Sequence, residues 1–390
     1  MKLSKRALKI SASPTLALNA KVTQLQTEGQ VVINLTAGQL DFPTPTHIKR
    51  AGIKAIKDNI TRYTPTAGIL ELKEAVAEKL SRISQIPTTP SQVVVGVGSK
   101  QLLYHAFQVL CNPGDEVILA TPTWTTYVEQ IKLAGAKPKL IKLKSPFILT
   151  AEKIKSGLSK KSKAILINSP ANPTGAVIPR GELKKIARLA VENSLAVVTD
   201  EIYESFCFKK PHVSIASLNK QIAKQTITIN GVSKAYAMTG WRVGYATGPS
   251  EIIQKMVAIQ SQTTSNTSSI SQMAALKALT GSQESVKLAR EKLLKRRDFL
   301  IDELSKLSGL KLVKPEGAFY FFVSIDELLG GKYKTSEEWC QALLKNEGVA
   351  LVPGEAFLTP KYFRLSFATP MTELKKAVKG IKKFIESYEN

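Results

Sequence analysis

Residues 233–245 read SKAYAMTGWRVGY, so that Lys234 stands eight positions before Arg242, with Gly240 and Gly244 on either side of the arginine. Upstream, Gln225–Ile229 is an alternating β-branched run that reads as a strand. The lysine therefore arrives at a strand end, in a turn that can hold it near a pocket. An amine in a dry site beside a second cation has a lowered pKa and can attack an aldehyde as the free base. The guanidinium suits two-pronged capture of a phosphate. One lysine in a lysine-rich chain is by itself only a solvated side chain; its partners decide.

Four more strand ends carry candidates. Gly96-Val97-Gly98-Ser99-Lys100 follows an apolar run and opens a helix. Glycines there let backbone approach a ligand, and a helix N-terminus favours a phosphate; a tight turn is the local alternative. Asn172 lies in a turn stiffened by Pro170, Pro173 and Gly175, as a ligand donor or a turn residue. Leu195–Thr199 runs into Asp200, with Tyr203 three residues on. Asp200 is a helix N-cap or a carboxylate that keeps a cofactor's ring nitrogen protonated, with Tyr203 aimed at the ring's phenolic oxygen. Arg364 and Ser366 share one face of a strand whose other face is Phe363, Leu365 and Phe367. An inward arginine needs an internal carboxylate or a bound anion. Together these residues read as a site for pyridoxal 5'-phosphate.

The elements that must position them are short strands alternating with helices. Val93–Val97, Glu116–Ala120, Ala164–Asn168, Leu195–Thr199 and Gln225–Ile229 are strands, and Glu182–Asn193 and Ile69–Ile83 are amphipathic helices. That alternation predicts an α/β fold with a largely parallel sheet covered on both faces, ligands collecting beyond the carboxyl ends of strands. After residue 285 the character changes: a charged helix Val286–Leu307 with Gly309 as its C-cap, strands near 318–323 and 362–368, and a closing helix. The expected division is a large domain over 46–285 and a smaller α+β domain from 1–45 and 286–390.

A chain of 390 residues with 43% apolar content accommodates two such domains. The net charge of +24 (55 basic, 31 acidic) is dispersed rather than massed, which reads as a solvated surface and not as a specific nucleic-acid site. Cys111, Cys207 and Cys340 form no CxxC pair, which fits a reducing compartment, and three scattered histidines offer no metal site. No acidic residue precedes Glu28, as in transit peptides, but no apolar run of membrane-spanning length follows. The expectation is a cytoplasmic protein with no membrane or metal partner.

With these motifs in place, the chain resembles the fold-type-I pyridoxal-phosphate aminotransferases of class I/II, most closely the prokaryotic-type aspartate aminotransferases. The resemblance runs through SPT at 13–15, NAK at 19–21, LTAG at 35–38 with Asp41-Phe42, RYTPTAG at 62–68, PTW at 122–124, NPTG at 172–175, DEIY at 200–203, the Lys234 segment, PGEAF at 353–357 and FRLSF at 363–367. It implies the fold-type-I transferase architecture, a seven-stranded, mostly parallel sheet with flanking helices plus the small domain. It implies Lys234 as Schiff-base residue and proton shuttle. Gly98, Ser99, Lys100, Ser233 and Arg242 would cradle the phosphate, joined by Tyr63 from the partner subunit of a homodimer. Trp124 would stack on the ring, Asn172 and Tyr203 meet its phenolic oxygen, and Asp200 its nitrogen. Arg364 would take the substrate α-carboxylate, with Gly38 behind the substrate.

The implied reaction is ping-pong transfer of an amino group between L-aspartate and 2-oxoglutarate. Two departures bear on the substrate. Gly38-Gln39-Leu40-Asp41-Phe42 stands where the family commonly has Gly-Glu-Pro-Asp-Phe, and Gln260–Thr264 carries no arginine before Ser265-Asn266. The second carboxylate must then find another cation, and Lys100, helped by Ser13 and Thr15, is the candidate. The alternatives are an aromatic or prephenate aminotransferase, a β-lyase, or a cofactor-sensing regulator. Ser11 stands where prephenate-active relatives tend to carry lysine, and residues 1–30 leave no room for the helix-turn-helix of a regulator.

Overall fold

A computed structural model describes residues 2–5 and 7–389 of the chain. Its central sheet is built from β2 (Val93–Gly96), β3 (Glu116–Thr121), β4 (Lys137–Lys142), β5 (Ser162–Asn168), β6 (Ala196–Asp200), β7 (Thr226–Gly231) and β8 (Gly244–Thr247), after a short β1 (Ile33–Asn34) that lies outside it. The order is β2-β8-β7-β6-β5-β3-β4. Strand β8 runs antiparallel to both its neighbours, and every other pair is parallel. The expected seven-stranded, mostly parallel α/β sheet is what forms. Its inner strands β5 and β6 are buried along most of their length, and the AILI and AVV runs in them carry that burial in the sequence.

Two strands of this sheet were not evident from the sequence. Strand β4, KPKLIK, sits at the sheet edge with three lysines and a proline, residues that protect an edge but dilute an apolar signal. Strand β8 is four residues long and begins on Gly244, inside the stretch whose chemistry dominates its reading. The helix expected over 69–83 spans Leu70–Arg82; Leu72, Val76 and Leu80 are buried, whereas Ile83 is exposed.

A second antiparallel sheet, ordered β11-β12-β9, joins β9 (Tyr320–Ser324), β11 (Val352–Pro353) and β12 (Tyr362–Ser366). The N-terminal segment is sewn to this part of the chain: β1 pairs in parallel with β10 (Val349–Ala350), and Leu35 belongs to the same core as Phe319, Trp339 and Leu374. The long helix covers Glu284–Leu304 and ends at Ser305, so Gly309 is not its cap. Gly309 instead takes a left-handed turn (φ +72) against Leu328, where a Cβ would come within 2.2 Å of that side chain. The closing helix, Met371–Glu389, buries Leu374, Val378, Ile381 and Ile385 as its spacing predicts. Among the described residues no helix is long and apolar enough to cross a membrane.

Candidate active site

The carboxyl ends of β5, β6 and β7 converge on a cavity of about 460 Å³. Residues 36–39, the start of the helix Ser99–Leu110, Trp124 and the inner face of β12 complete it. Strand β7 ends at Gly231, and Lys234 follows in a turn whose amine donates to the Gly38 carbonyl at 2.5 Å. Burial lowers the pKa of Lys234 to about 8. Asp200 opposes this, while Arg364, Arg242 and Lys100 add to it. The free-base amine expected from the sequence therefore has its physical cause in place.

Arg242 adopts the left-handed conformation (φ 57, ψ 52) and reaches the amino end of the helix that starts at Ser99. Its Nη1 donates to the Thr239 carbonyl at 3.0 Å. A Cβ on Gly98 would meet its Nη2 at 2.6 Å, and one on Gly244 would come within 2.4 Å of the Ser99 nitrogen. The glycines thus keep open a small basin between a guanidinium and a helix N-terminus, the donor set a phosphate needs. The Ser99 hydroxyl donates to the Asn230 carbonyl at 2.8 Å, which leaves its backbone N–H as its contribution to that basin. Lys100 projects over the Trp124 ring, with Nζ 4.6 Å from the centroid, and burial together with Arg242 lowers its pKa.

Asp200 is fully enclosed at the end of β6. One oxygen accepts from the Ile202 amide at 3.2 Å, a local turn in place of the helix cap, and the other accepts from Tyr127 at 2.7 Å. Burial raises its pKa to about 6, against the Tyr127 and Ile202 hydrogen bonds and the Lys234 charge. A protonated ring nitrogen is the kind of partner that a carboxylate so placed lacks. The Tyr203 hydroxyl lies 2.9 Å from that of Tyr320.

Arg364 has no carboxylate within ion-pair distance among the described residues. Nη1 donates to Asn172 Oδ1 at 3.0 Å and Nη2 to the Thr36 carbonyl at 2.6 Å, while Nε has no partner. The rings of Tyr320 and Phe357 lie 4.4 and 5.0 Å from the guanidinium carbon. The internal salt bridge that the sequence left open is therefore absent there. What remains is a buried cation open to a carboxylate from outside.

The structure thus brings together Gly38, Ser99, Lys100, Trp124, Asn172, Asp200, Tyr203, Ser233, Lys234, Arg242, Arg364 and Thr15 as cavity walls, with Gly98 behind Arg242. Ser13 stands behind Thr15, their hydroxyls 3.2 Å apart. Tyr63 does not join them; its side chain is 90% exposed. The sequence reading missed Tyr127 and Tyr320. Tyr127 begins as a core-like residue one turn into a helix, and only its hydroxyl's contact with Asp200 marks it; Tyr320 sits in an apolar strand where Phe would read the same. Among the described residues no group of side chains forms a metal site.

Comparison with known proteins agrees with this arrangement. The sequence model of the family "Aminotransferase class I and II" matches residues 30–381. An aspartate aminotransferase of Bacillus subtilis is 42% identical over 100% of both chains. A Thermus thermophilus protein named aspartate/prephenate aminotransferase is 41% identical over 96% of this chain and 97% of its own. The solved structure of Thermus thermophilus aspartate aminotransferase with maleate superposes with a TM-score of 0.94 at 40% identity, covering 98% of this chain and 100% of that one. A chain with that sheet, that lysine turn and these relatives belongs to the class I and II aminotransferases, and it is a transaminase.

Proposed function

We propose that the chain is a pyridoxal-5'-phosphate-dependent aspartate aminotransferase, exchanging the amino group between L-aspartate and 2-oxoglutarate in two half-reactions. The observation that carries this reading is the charge count of the cavity. Lys100, Lys234, Arg242 and Arg364 face it, with Asp200 as the only carboxylate on its wall among the described residues. Such a site is built for a phosphate and a doubly carboxylated substrate.

The residues fit the cofactor. Arg242, Ser233 and the amides at Gly98–Lys100 would hold its phosphate, Trp124 its ring face, Asn172 and Tyr203 its phenolic oxygen, and Asp200 its ring nitrogen. When bound, pyridoxal 5'-phosphate supplies an aldehyde for the amine and a ring that stabilises negative charge at the substrate Cα. Arg364 binds the substrate α-carboxylate and is kept flat by Asn172, Thr36 and the two aromatic rings. Lys100 receives the second carboxylate, with Thr15 on the same cavity wall and Ser13 against Thr15 completing the shell. Lys234, as an amine near neutrality in its proton affinity, takes the α-proton and returns it on the other side of the exchange.

Residues 46–285 form the large domain in this reading, and 1–45 with 286–390 the small one. Tyr63 acts in a homodimer, its hydroxyl reaching the partner's phosphate. Its near-complete exposure, together with the half-exposed Ile53, Ile56 and Leu70, supports a covered surface in the assembly. A panel of aspartate, glutamate, alanine and phenylalanine assayed with 2-oxoglutarate tests the substrate. Aspartate is expected to give the highest kcat/KM; a higher value for phenylalanine overturns the reading in favour of an aromatic aminotransferase.

A further inference from the structure

The orientation of Arg364 traces back to a residue on the first helix. Arg364 Nη2 donates to the Thr36 carbonyl at 2.6 Å. Thr36 is itself held twice by Asn34 Oδ1, through its backbone N–H at 3.0 Å and its hydroxyl at 2.7 Å. A backbone N–H can only donate, so the Asn34 atom facing it is the oxygen and its Nδ2 must face the other way. There it donates to Asn19 Oδ1 at 3.2 Å, an atom that the Thr36 hydroxyl also approaches at 3.4 Å. Asn19 therefore presents its oxygen as the last acceptor in a relay of one sense, with Arg364 as the first donor at the other end. The helix Pro14–Thr27 that carries Asn19 also carries Thr15 on the cavity wall. Of its residues only Val22 is fully buried and Leu18 packs partly against the core, so its polar contacts help register it against the site.

We propose that Asn19 is a positioning residue for substrate carboxylates: by fixing the amide of Asn34, and through it Thr36, it sets the carbonyl that aims Arg364. The proposal rests on Arg364 as the α-carboxylate site. Without the Asn19 oxygen, Asn34 Nδ2 loses its acceptor, its amide is free to turn, and turning would set an NH₂ against the two Thr36 donors. Asn19 borders the same cavity, but its role here runs through Asn34 and Thr36 to the guanidinium that binds carboxylate, so the loss should appear in binding rather than in turnover.

The test compares Asn19→Leu, which removes the acceptor at similar volume, with Asn19→Asp, which keeps an oxygen there. In the cofactor-loaded protein, succinate affinity is measured by calorimetry and alanine kinetics by assay. Pyridoxal-5'-phosphate affinity and Tm are followed in parallel. Asn19→Leu is expected to raise the succinate Kd and the alanine KM roughly 3- to 10-fold, the scale of one lost hydrogen bond, with kcat and cofactor affinity near native. Asn19→Asp is expected to stay near native on all counts. Native succinate binding by Asn19→Leu overturns the proposal. So does a parallel fall in Tm, cofactor affinity and succinate affinity, which assigns Asn19 to the fold. Arg364→Lys separates the two layers: if it too leaves succinate binding intact, the reading of Arg364 fails, whereas loss in Arg364→Lys beside native Asn19→Leu sinks only the relay.

Discussion

Tyr127 donates a 2.7 Å hydrogen bond to Asp200 in a part of the site where both side chains are closed to water. The bond satisfies one carboxylate oxygen without neutralising the charge, and burial still raises the Asp200 pKa to about 6. The structure thus keeps a carboxylate short of a cationic partner at the floor of the cavity, where a protonated ring nitrogen would complete it.

Asp200→Ala should therefore lower kcat on the order of 100-fold or more while the cofactor stays bound through its phosphate. Steady-state kinetics and a spectroscopic cofactor titration check this. Near-native turnover would return Asp200 to the role of a turn residue.

The same shift predicts a pH signature in the cofactor-free protein. A carboxyl raised from 3.8 to about 6 holds an extra proton in the folded state between those values, so stability falls as pH rises through that window. Urea unfolding at pH 4.5 and 6.5 should show a native loss that Asp200→Asn reduces by about 1–2 kcal/mol. An unchanged slope in the variant removes Asp200 as its source.

His212 gives a second handle of the same sign at higher pH, outside the cavity. Burial works against its charge, but Glu201, whose Oε2 lies 3.2 Å from Nε2, outweighs it and raises the imidazole to about 10. A raised pKa stabilises the fold fully below the unfolded value of 6.5 and loses that contribution as pH climbs towards 10. Glu201→Gln should flatten this alkaline decline in chemical-denaturation curves. If the variant declines as steeply as the native protein, other groups cause it.

For the second carboxylate, Lys100→Ala should cost aspartate and glutamate about 2–4 kcal/mol in kcat/KM, the scale for leaving a buried charge unpartnered. Alanine and phenylalanine, which lack that group, should be nearly unaffected. An equal loss for all donors assigns Lys100 to the phosphate instead.

Tyr63 can be placed by complementation. In a hybrid dimer of Lys234→Ala and Tyr63→Ala subunits, action across the interface restores one site with both residues intact. Mixed and refolded subunits should then recover activity absent from the Lys234→Ala protein and exceeding that of Tyr63→Ala. Recovery no greater than the average of the two parents would place Tyr63 within its own subunit.

The chemistry of the site was largely legible in the residues, because each piece has local punctuation. Lys234, Asp200 and Asn172 follow buried strands and lie in turns whose glycines and prolines are visible without a fold, and Arg364 shows by alternation that it faces inward. What the sequence could not decide was whom these groups meet. Asp200 could cap a turn and face the cavity, and it does both; Arg364 could pair with a carboxylate and does not; Tyr127 and Tyr320 read as core aromatics until their hydroxyls meet Asp200 and Tyr203. Strand β4 was hidden by edge lysines, and Asn19 joins Arg364 only through Asn34 and Thr36. Sequence determines which residues end a strand or face inward, since those follow from backbone periodicity and turn chemistry. Only the tertiary structure decides hydrogen-bond partners, because these depend on packing elements hundreds of residues apart to within an ångström.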